Sequence, residues 1–191
     1  MLIYKKKDGM ICIFIHIPKN AGKYIRDLEC ANKTNKIIKI FWGIFDSVDL
    51  AHIPYILKDK YIKNIVPTNN VKYYTFTRNP YNRLISAYFY NNPNNTIGDF
   101  KLFVTNDLIN MNFNLDFDSK IIHYYPQYLF VCDENLQLSN NVKIYKIENY
   151  LSNPMDYNLI EYYDEKILQI INGLYSIDFI LFNYKIITEV K

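Results

Sequence analysis

Cysteine is sparse and scattered. The three residues, Cys12, Cys30 and Cys132, lie far apart with no CxxC pair. That excludes a disulfide framework and a zinc pattern, and reads as reduced, mostly buried thiols of a cytosolic-type chain. No apolar run approaches the ~18–20 residues of a membrane span. Charge of one sign is also missing. The net charge of +3 is mild and dispersed, which excludes a nucleic-acid groove and leaves room for a small anionic ligand. Glycine is scarce, five residues against nineteen tyrosines. With abundant Ile, Lys and Asn, this composition reflects AT-rich coding more than chemistry, so isolated Asn residues carry no signal.

Half of the 191 residues are hydrophobic and 17% are aromatic, so the chain is no disordered segment. The length suits one domain, residues 1–191, with a sizeable core. Lys5–Lys7 followed by Met10–Ile17 imitates a signal peptide, but Asp8, Gly9 and His16 interrupt it and the apolar run is short. The expectation is a soluble, cytoplasmic protein without a membrane anchor. Met10–Ile17, Lys36–Trp42, Val71–Thr77, Tyr128–Cys132 and Val142–Ile147 read as strands. Lys23–Asn32, with Tyr24, Ile25 and Leu28 as its apolar stripe, reads as a helix. So do Pro54–Lys63, Pro80 to about Tyr90, Asp99–Met111, Glu161–Leu174 and Ser176–Phe182. Strands alternating with helices predict one α/β domain around a mainly parallel sheet, with a ligand beyond the strand C-termini.

Two stretches would meet there. The first is Pro18-Lys19-Asn20-Ala21-Gly22-Lys23, between a buried strand and a helix start. The first N–H groups of a helix lack intrahelical partners, and small residues let them approach an anion. Lys19 is placed to set its ammonium on a bridging or leaving oxygen. Gly22-Lys23 mimics the end of a GxxxxGK[ST] loop, but the first glycine is missing and Tyr24 replaces the magnesium-binding hydroxyl, which disfavours a nucleoside triphosphatase. The second stretch is Thr75-Phe76-Thr77-Arg78-Asn79-Pro80-Tyr81-Asn82-Arg83-Leu84-Ile85-Ser86-Ala87-Tyr88. Arg78 ends a buried strand in a region poor in carboxylates. Its guanidinium fork suits a bidentate phosphate, with Ser86 offering a hydroxyl.

IHIPKNAG followed by FTRNPYNRLISAY resembles the two cofactor motifs of the type 2 (carbohydrate) sulfotransferase family. His123-Tyr124-Tyr125-Pro126-Gln127, Val142–Asn149 and Tyr175–Tyr184 resemble later landmarks of that family, in order. The resemblance implies a P-loop-like three-layer α/β/α fold similar to nucleotide kinases, with 3′-phosphoadenosine 5′-phosphosulfate (PAPS) as cofactor. It assigns Pro18, Lys19, Asn20, Ala21, Gly22, Lys23 and Tyr24 to the 5′-phosphosulfate, and Arg78 with Ser86 to the 3′-phosphate. Lys23-Tyr24 departs from the family's Thr-Ser.

Sulfuryl transfer needs a base for the acceptor proton and a cation for the leaving phosphate. By resemblance to glycosaminoglycan 2-O-sulfotransferases, His52 takes the first role; Lys19 takes the second. Asp46 or Asp49 would orient His52. His123 and Gln127 are expected on the substrate side, with His123 as the rival base, and His16 is read as a satisfied core histidine. No histidine pair has metal-ligand spacing, so no metal is expected. The implied function is PAPS-dependent sulfation of an acceptor hydroxyl, on a carbohydrate. The alternatives are a catalytically weak nucleotide-binding module and, less favoured, a P-loop small-molecule kinase.

Overall fold

The computed structural model describes residues 1–66, 70–151 and 156–189. Its strands are β1 (Leu2–Lys5), β2 (Ile11–Phe14), β3 (Lys36–Ile40), β4 (Ile44–Phe45), β5 (Val48–Asp49), β6 (Val71–Thr77) and β7 (Val142–Lys146). Five of them form a sheet in the order β3-β1-β2-β6-β7, and β4 pairs with β5 in a separate hairpin. β2, β6 and β7 run parallel, whereas β1 is antiparallel to both of its neighbours. The sheet is therefore mostly parallel, as expected, with one reversed strand.

Four of the expected strands form. β1 was hidden in the leader-like start of the chain: Lys6–Met10 closes a hairpin turn, with Gly9 at φ 87°, a left-handed conformation that glycine adopts without strain. Tyr128–Cys132 is not a strand. Gln127–Phe130 forms a short 3₁₀ turn instead, because the Asp178 carboxylate accepts the N–H groups of Gln127 and Tyr128, each at 2.8 Å. Those donors are thus satisfied without a neighbouring strand.

The helices are α1 (Gly22–Ala31), α2 (Lys58–Ile62), α3 (Pro80–Asn91), α4 (Ile97–Asn106), α5 (Leu159–Tyr162), α6 (Glu165–Leu174) and α7 (Ser176–Leu181). Local chemistry sets their starts. Asn79 accepts the Tyr81 N–H with Pro80 at the first position of α3, and Thr96 and Asp99 form a reciprocal capping box on α4. The expected helix Glu161–Leu174 divides because Asp164 caps a fresh start at Glu165. No helix among the described residues is long and apolar enough to cross a membrane.

Alternation along β1 and β2 feeds two cores. Ile3, Ile13 and Ile15 point into one with Phe117, Phe130 and Ile53; Leu2, Tyr4, Cys12 and Phe14 point into the other with Ile25 and Phe76. A third core joins α3, α4, α6 and α7 through Tyr88, Phe100, Ile171 and Phe179. Of the expected stripe on α1 only Ile25 is buried; Tyr24 and Leu28 are 53% and 54% exposed. The helix touches the sheet along a single line.

Candidate active site

β2 and β6 are parallel neighbours, so the segments after them emerge at the same edge. Ile15 N–H donates to Tyr74 O at 2.9 Å and Thr75 Oγ1 to Ile15 O at 2.7 Å, which locks their ends together. Beyond them opens a cavity of about 640 Å³, within the range of small-ligand sites.

The turn after β2 is built from two left-handed residues, Lys19 at φ 66° and Ala21 at φ 55°. Ala21 stands at the N-cap of α1 and has no side chain to cap it, unlike Asn79 and Thr96. The N–H groups of the first turn are left facing outward. Gly22 is required by contact: a Cβ there would lie 1.7 Å from His16 Nε2. Asn20 is 1% exposed and donates to Phe76 O at 2.7 Å and Gln127 Oε1 at 2.8 Å. It fixes the turn rather than lining the cavity. Pro18 is buried, and its carbonyl accepts Arg83 Nε at 3.0 Å.

Arg78 is 7% exposed at the end of β6, and its Nη1 donates to Lys19 O at 3.2 Å. The two stretches singled out in the sequence are thus in direct contact. Arg83, Ser86 and Tyr90 share one face of α3. Arg83 is 2% exposed and also donates to His123 O at 3.2 Å; Ser86 and Tyr90 line the cavity. The Lys19 ammonium lies 3.9 Å from the centre of the Tyr90 ring. Burial, with Arg78 beside it, pushes the Lys19 ammonium down to about 8.

All three histidines meet here. The His52 ring lies 4.3 Å from that of His16 and 5.5 Å from that of His123, centre to centre. His52 Nδ1 is 2.8 Å from His16 O. A carbonyl only accepts, so Nδ1 carries the proton and Nε2 is left as the basic nitrogen. Asp49 Oδ2 is 3.9 Å from that Nε2, and Asp49 Oδ1 accepts the Ala51 N–H. Asp46 is turned away to Lys60 at 3.1 Å. Burial pushes the His52 imidazole down to about 3, against the pull of its bond to His16, with the charges of Arg26 and Arg83 adding to the fall. His123 falls to about 3 for the same leading cause, helped by its neighbours His52, Lys19 and Arg83. His16 is buried as expected, but it is not satisfied: its Nδ1 has no partner among the described residues, and its ring lines the cavity.

The profile of the Sulfotransferase family matches residues 13–156. The chain belongs to that family. No curated protein and no solved structure matches it. The family's reaction is sulfuryl transfer, and the matched span holds both contacting turns, His52 and His123.

Within this family member, Lys19, Ala21, Gly22, Lys23, Arg78, Ser86, His52 and His123 surround one cavity. Pro18, Asn20, Tyr24 and Gln127 do not line it. Tyr24 turns to solvent on the outer face of α1. Gln127, expected on the substrate side, is 0% exposed and serves the backbone of Arg78 instead. Sequence reasoning missed Arg26, Trp42 and Tyr90 on the cavity wall. Only Tyr90 had a readable signal, its place one helical turn after Ser86. No group of His, Cys, Asp or Glu among the described residues is arranged to hold a metal.

Proposed function

We propose that this chain transfers a sulfuryl group from PAPS to an acceptor hydroxyl on a carbohydrate, by in-line displacement, with His52 as base. The observation that carries the reading is the contact of the Lys19 turn with Arg78 across β2 and β6, with the basic Nε2 of His52 at the same cavity. The fit to PAPS rests on three features. The N-terminus of α1 is uncapped, the packing of His16 holds position 22 to glycine, and buried Arg78 shares the cavity wall with Ser86. The same reading extends the fold to a P-loop-like three-layer arrangement, in keeping with cores on both faces of the sheet.

In this reading the turn N–H groups of α1 and the Lys19 and Lys23 ammoniums hold the 5′-phosphosulfate end, and Arg78 with Ser86 holds the 3′-phosphate. Bound PAPS supplies the activated sulfuryl group. Lys19 stabilises negative charge at the leaving phosphate oxygen. His52 Nε2 takes the acceptor proton, and its Nδ1–H keeps the ring oriented through His16 O. The resulting imidazolium faces the Asp49 carboxylate. His123 stands edge-on to the His52 ring at 5.5 Å and orients the acceptor.

One observation favours the second reading, a nucleotide-binding module with weak transfer. Position 24 carries an exposed tyrosine outside the cavity, so no hydroxyl from it reaches the phosphate. Calorimetry separates the readings. Adenosine 3′,5′-bisphosphate should bind in preference to ATP with magnesium. Arg78→Ala should weaken that bisphosphate by about 10–100-fold, as expected for charged hydrogen bonds, and AMP far less. Equal weakening of both ends the 3′-phosphate assignment. Tight binding without transfer to any carbohydrate acceptor favours the module.

A further inference from the structure

One edge of the sheet gathers positive charge and exposed apolar surface together. β3 is the last strand of the sheet, so one of its sides has no neighbouring strand. Six exposed lysines stand on and around it. Lys5 ends β1 and is the register partner of Lys36; Lys6 and Lys7 lie in the turn after β1, Lys33 precedes β3, and Lys39 lies within it. Like charges opposite one another on paired strands repel. No carboxylate lies within 4.0 Å of any of the six, among the described residues. Asp8, the one acid of the turn, has an oxygen bonded to the Met10 N–H. The charge that looks dispersed along the sequence is thus concentrated at this edge.

The chain continues from the same edge with its apolar side chains turned out. Ile38, Ile40, Trp42, Ile44 and Phe45 are 38%, 45%, 71%, 68% and 56% exposed. Single apolar side chains are ordinary on a surface, but a run of them rimmed by cations marks an interaction face. Trp42 is the single tryptophan, and the Arg26 guanidinium carbon lies 5.1 Å from the centre of its ring. Lysines on a free edge oppose strand pairing with a second copy. A nucleic acid or an acidic polysaccharide would meet the lysines and leave Ile38, Ile44 and Phe45 in water. An anionic lipid surface meets both sets: its headgroups attract the lysines, its acyl boundary takes the apolar side chains, and tryptophan favours that boundary. We infer that the β3 edge, with its flanking lysines and the residues up to Phe45, is a docking surface for an anionic lipid membrane. This surface stands whether or not the cavity transfers a sulfuryl group.

Trp42 is a built-in probe. The protein is mixed with vesicles of phosphatidylcholine, alone or with about 30% phosphatidylserine to set an anionic surface. Co-sedimentation and Trp42 emission are read together. The anionic vesicles alone should bind the protein, less as salt rises, with a blue shift of the emission and quenching by brominated acyl chains. Lys36→Glu with Lys39→Glu should weaken binding by about 30-fold or more, since each basic residue at such a surface is worth about fivefold. Ile38→Ser with Phe45→Ser should weaken it by about tenfold. Circular dichroism and the urea midpoint report whether each pair folds; Lys6→Glu with Lys7→Glu, in an exposed turn, replaces a pair that does not. Equal binding to both kinds of vesicle, binding without the Trp42 shift, or wild-type binding by the folded lysine variant overturns the surface. Binding abolished by excess adenosine 3′,5′-bisphosphate places the headgroup in the cavity and also overturns it. So does retention of duplex DNA or a sulfated polysaccharide with no uptake by vesicles, or a dimer in sedimentation equilibrium that the Ile38 and Phe45 changes dissociate.

Discussion

The side-chain amide of Gln127 grips both main-chain groups of Arg78: Oε1 accepts the Arg78 N–H at 2.9 Å, and Nε2 donates to Arg78 O at 2.8 Å. The same Oε1 accepts Asn20 Nδ2 at 2.8 Å. One buried amide therefore sets the distance between the turn after β2 and the end of β6. Gln127 is itself held by the Asp178 carboxylate, which burial raises to about 6 despite its two backbone donors and the charge of Arg83.

Gln127→Leu removes this link while conserving most of the volume. The Arg78 N–H and C=O lose their partners in the interior, at about 1–3 kcal/mol each. Urea denaturation should show a loss of roughly 2–5 kcal/mol, and the surviving folded protein should bind adenosine 3′,5′-bisphosphate more weakly. Unchanged stability would mean that the two turns are aligned by packing alone.

Gly22→Ala tests the contact between the turn after β2 and the histidine cluster. The added Cβ would meet His16 Nε2 at 1.7 Å, so ring or turn must move. Overpacking of this kind costs about 1–3 kcal/mol or more. Pairing the change with His16→Ala makes room, so the double variant should recover most of the stability and of the bisphosphate binding that Gly22→Ala alone loses. A strictly additive double variant would separate the two positions.

The parts of this site that were legible share a local signature. An apolar run ending in a small-residue turn marks β2 and the start of α1, and an arginine at a strand end followed by Asn-Pro marks β6 and α3. The parts that were not legible depend on distant partners. Gln127 meets Arg78 and Asn20 across 49 and 107 positions of chain, and nothing in its own neighbourhood signals an interior clamp. Tyr128–Cys132 has the composition of a strand, and only the arrival of Asp178 from α7 makes it a turn. Arg26 looks like any solvated helix cation until Trp42 is set beside it. His16 looks like a core residue because it is one; its vacant Nδ1 and its contact with His52 appear only in three dimensions.

The histidine cluster makes the fold sensitive to acid. His52 and His123 lie at about 3 and His16 well below its usual value, all led by burial. Each is neutral when folded, whereas each takes a proton near pH 6.5 when unfolded. The unfolded state therefore binds more protons below pH 6.5. Stability is full above that pH and falls toward pH 3, by up to about 1.4 kcal/mol per pH unit for each histidine. His52→Gln retains a donor for His16 O but cannot titrate, so urea denaturation between pH 7 and pH 5 should show a shallower slope. The same variant should lose turnover by a factor on the order of 10²–10⁴ with bisphosphate binding nearly intact. A wild-type slope in His52→Gln would mean that the acid sensitivity resides elsewhere.

Lys19 sets the opposite limb of the pH profile. Its ammonium is held over the Tyr90 ring beside Arg78, and burial has pushed it down to about 8. As pH rises through that value the charge is lost, and with it the stabilisation proposed for the leaving phosphate oxygen. kcat/KM, which reports groups of the free enzyme, should therefore fall above about pH 8. The acid side should stay flat until the fold itself gives way, because His52 is already neutral. Lys19→Arg supplies a cation that does not titrate in this range. Its rate should be lower, since a planar fork replaces a compact ammonium, but its alkaline limb should vanish. If the limb persists in Lys19→Arg, another group controls it and Lys19 loses its place at the leaving oxygen.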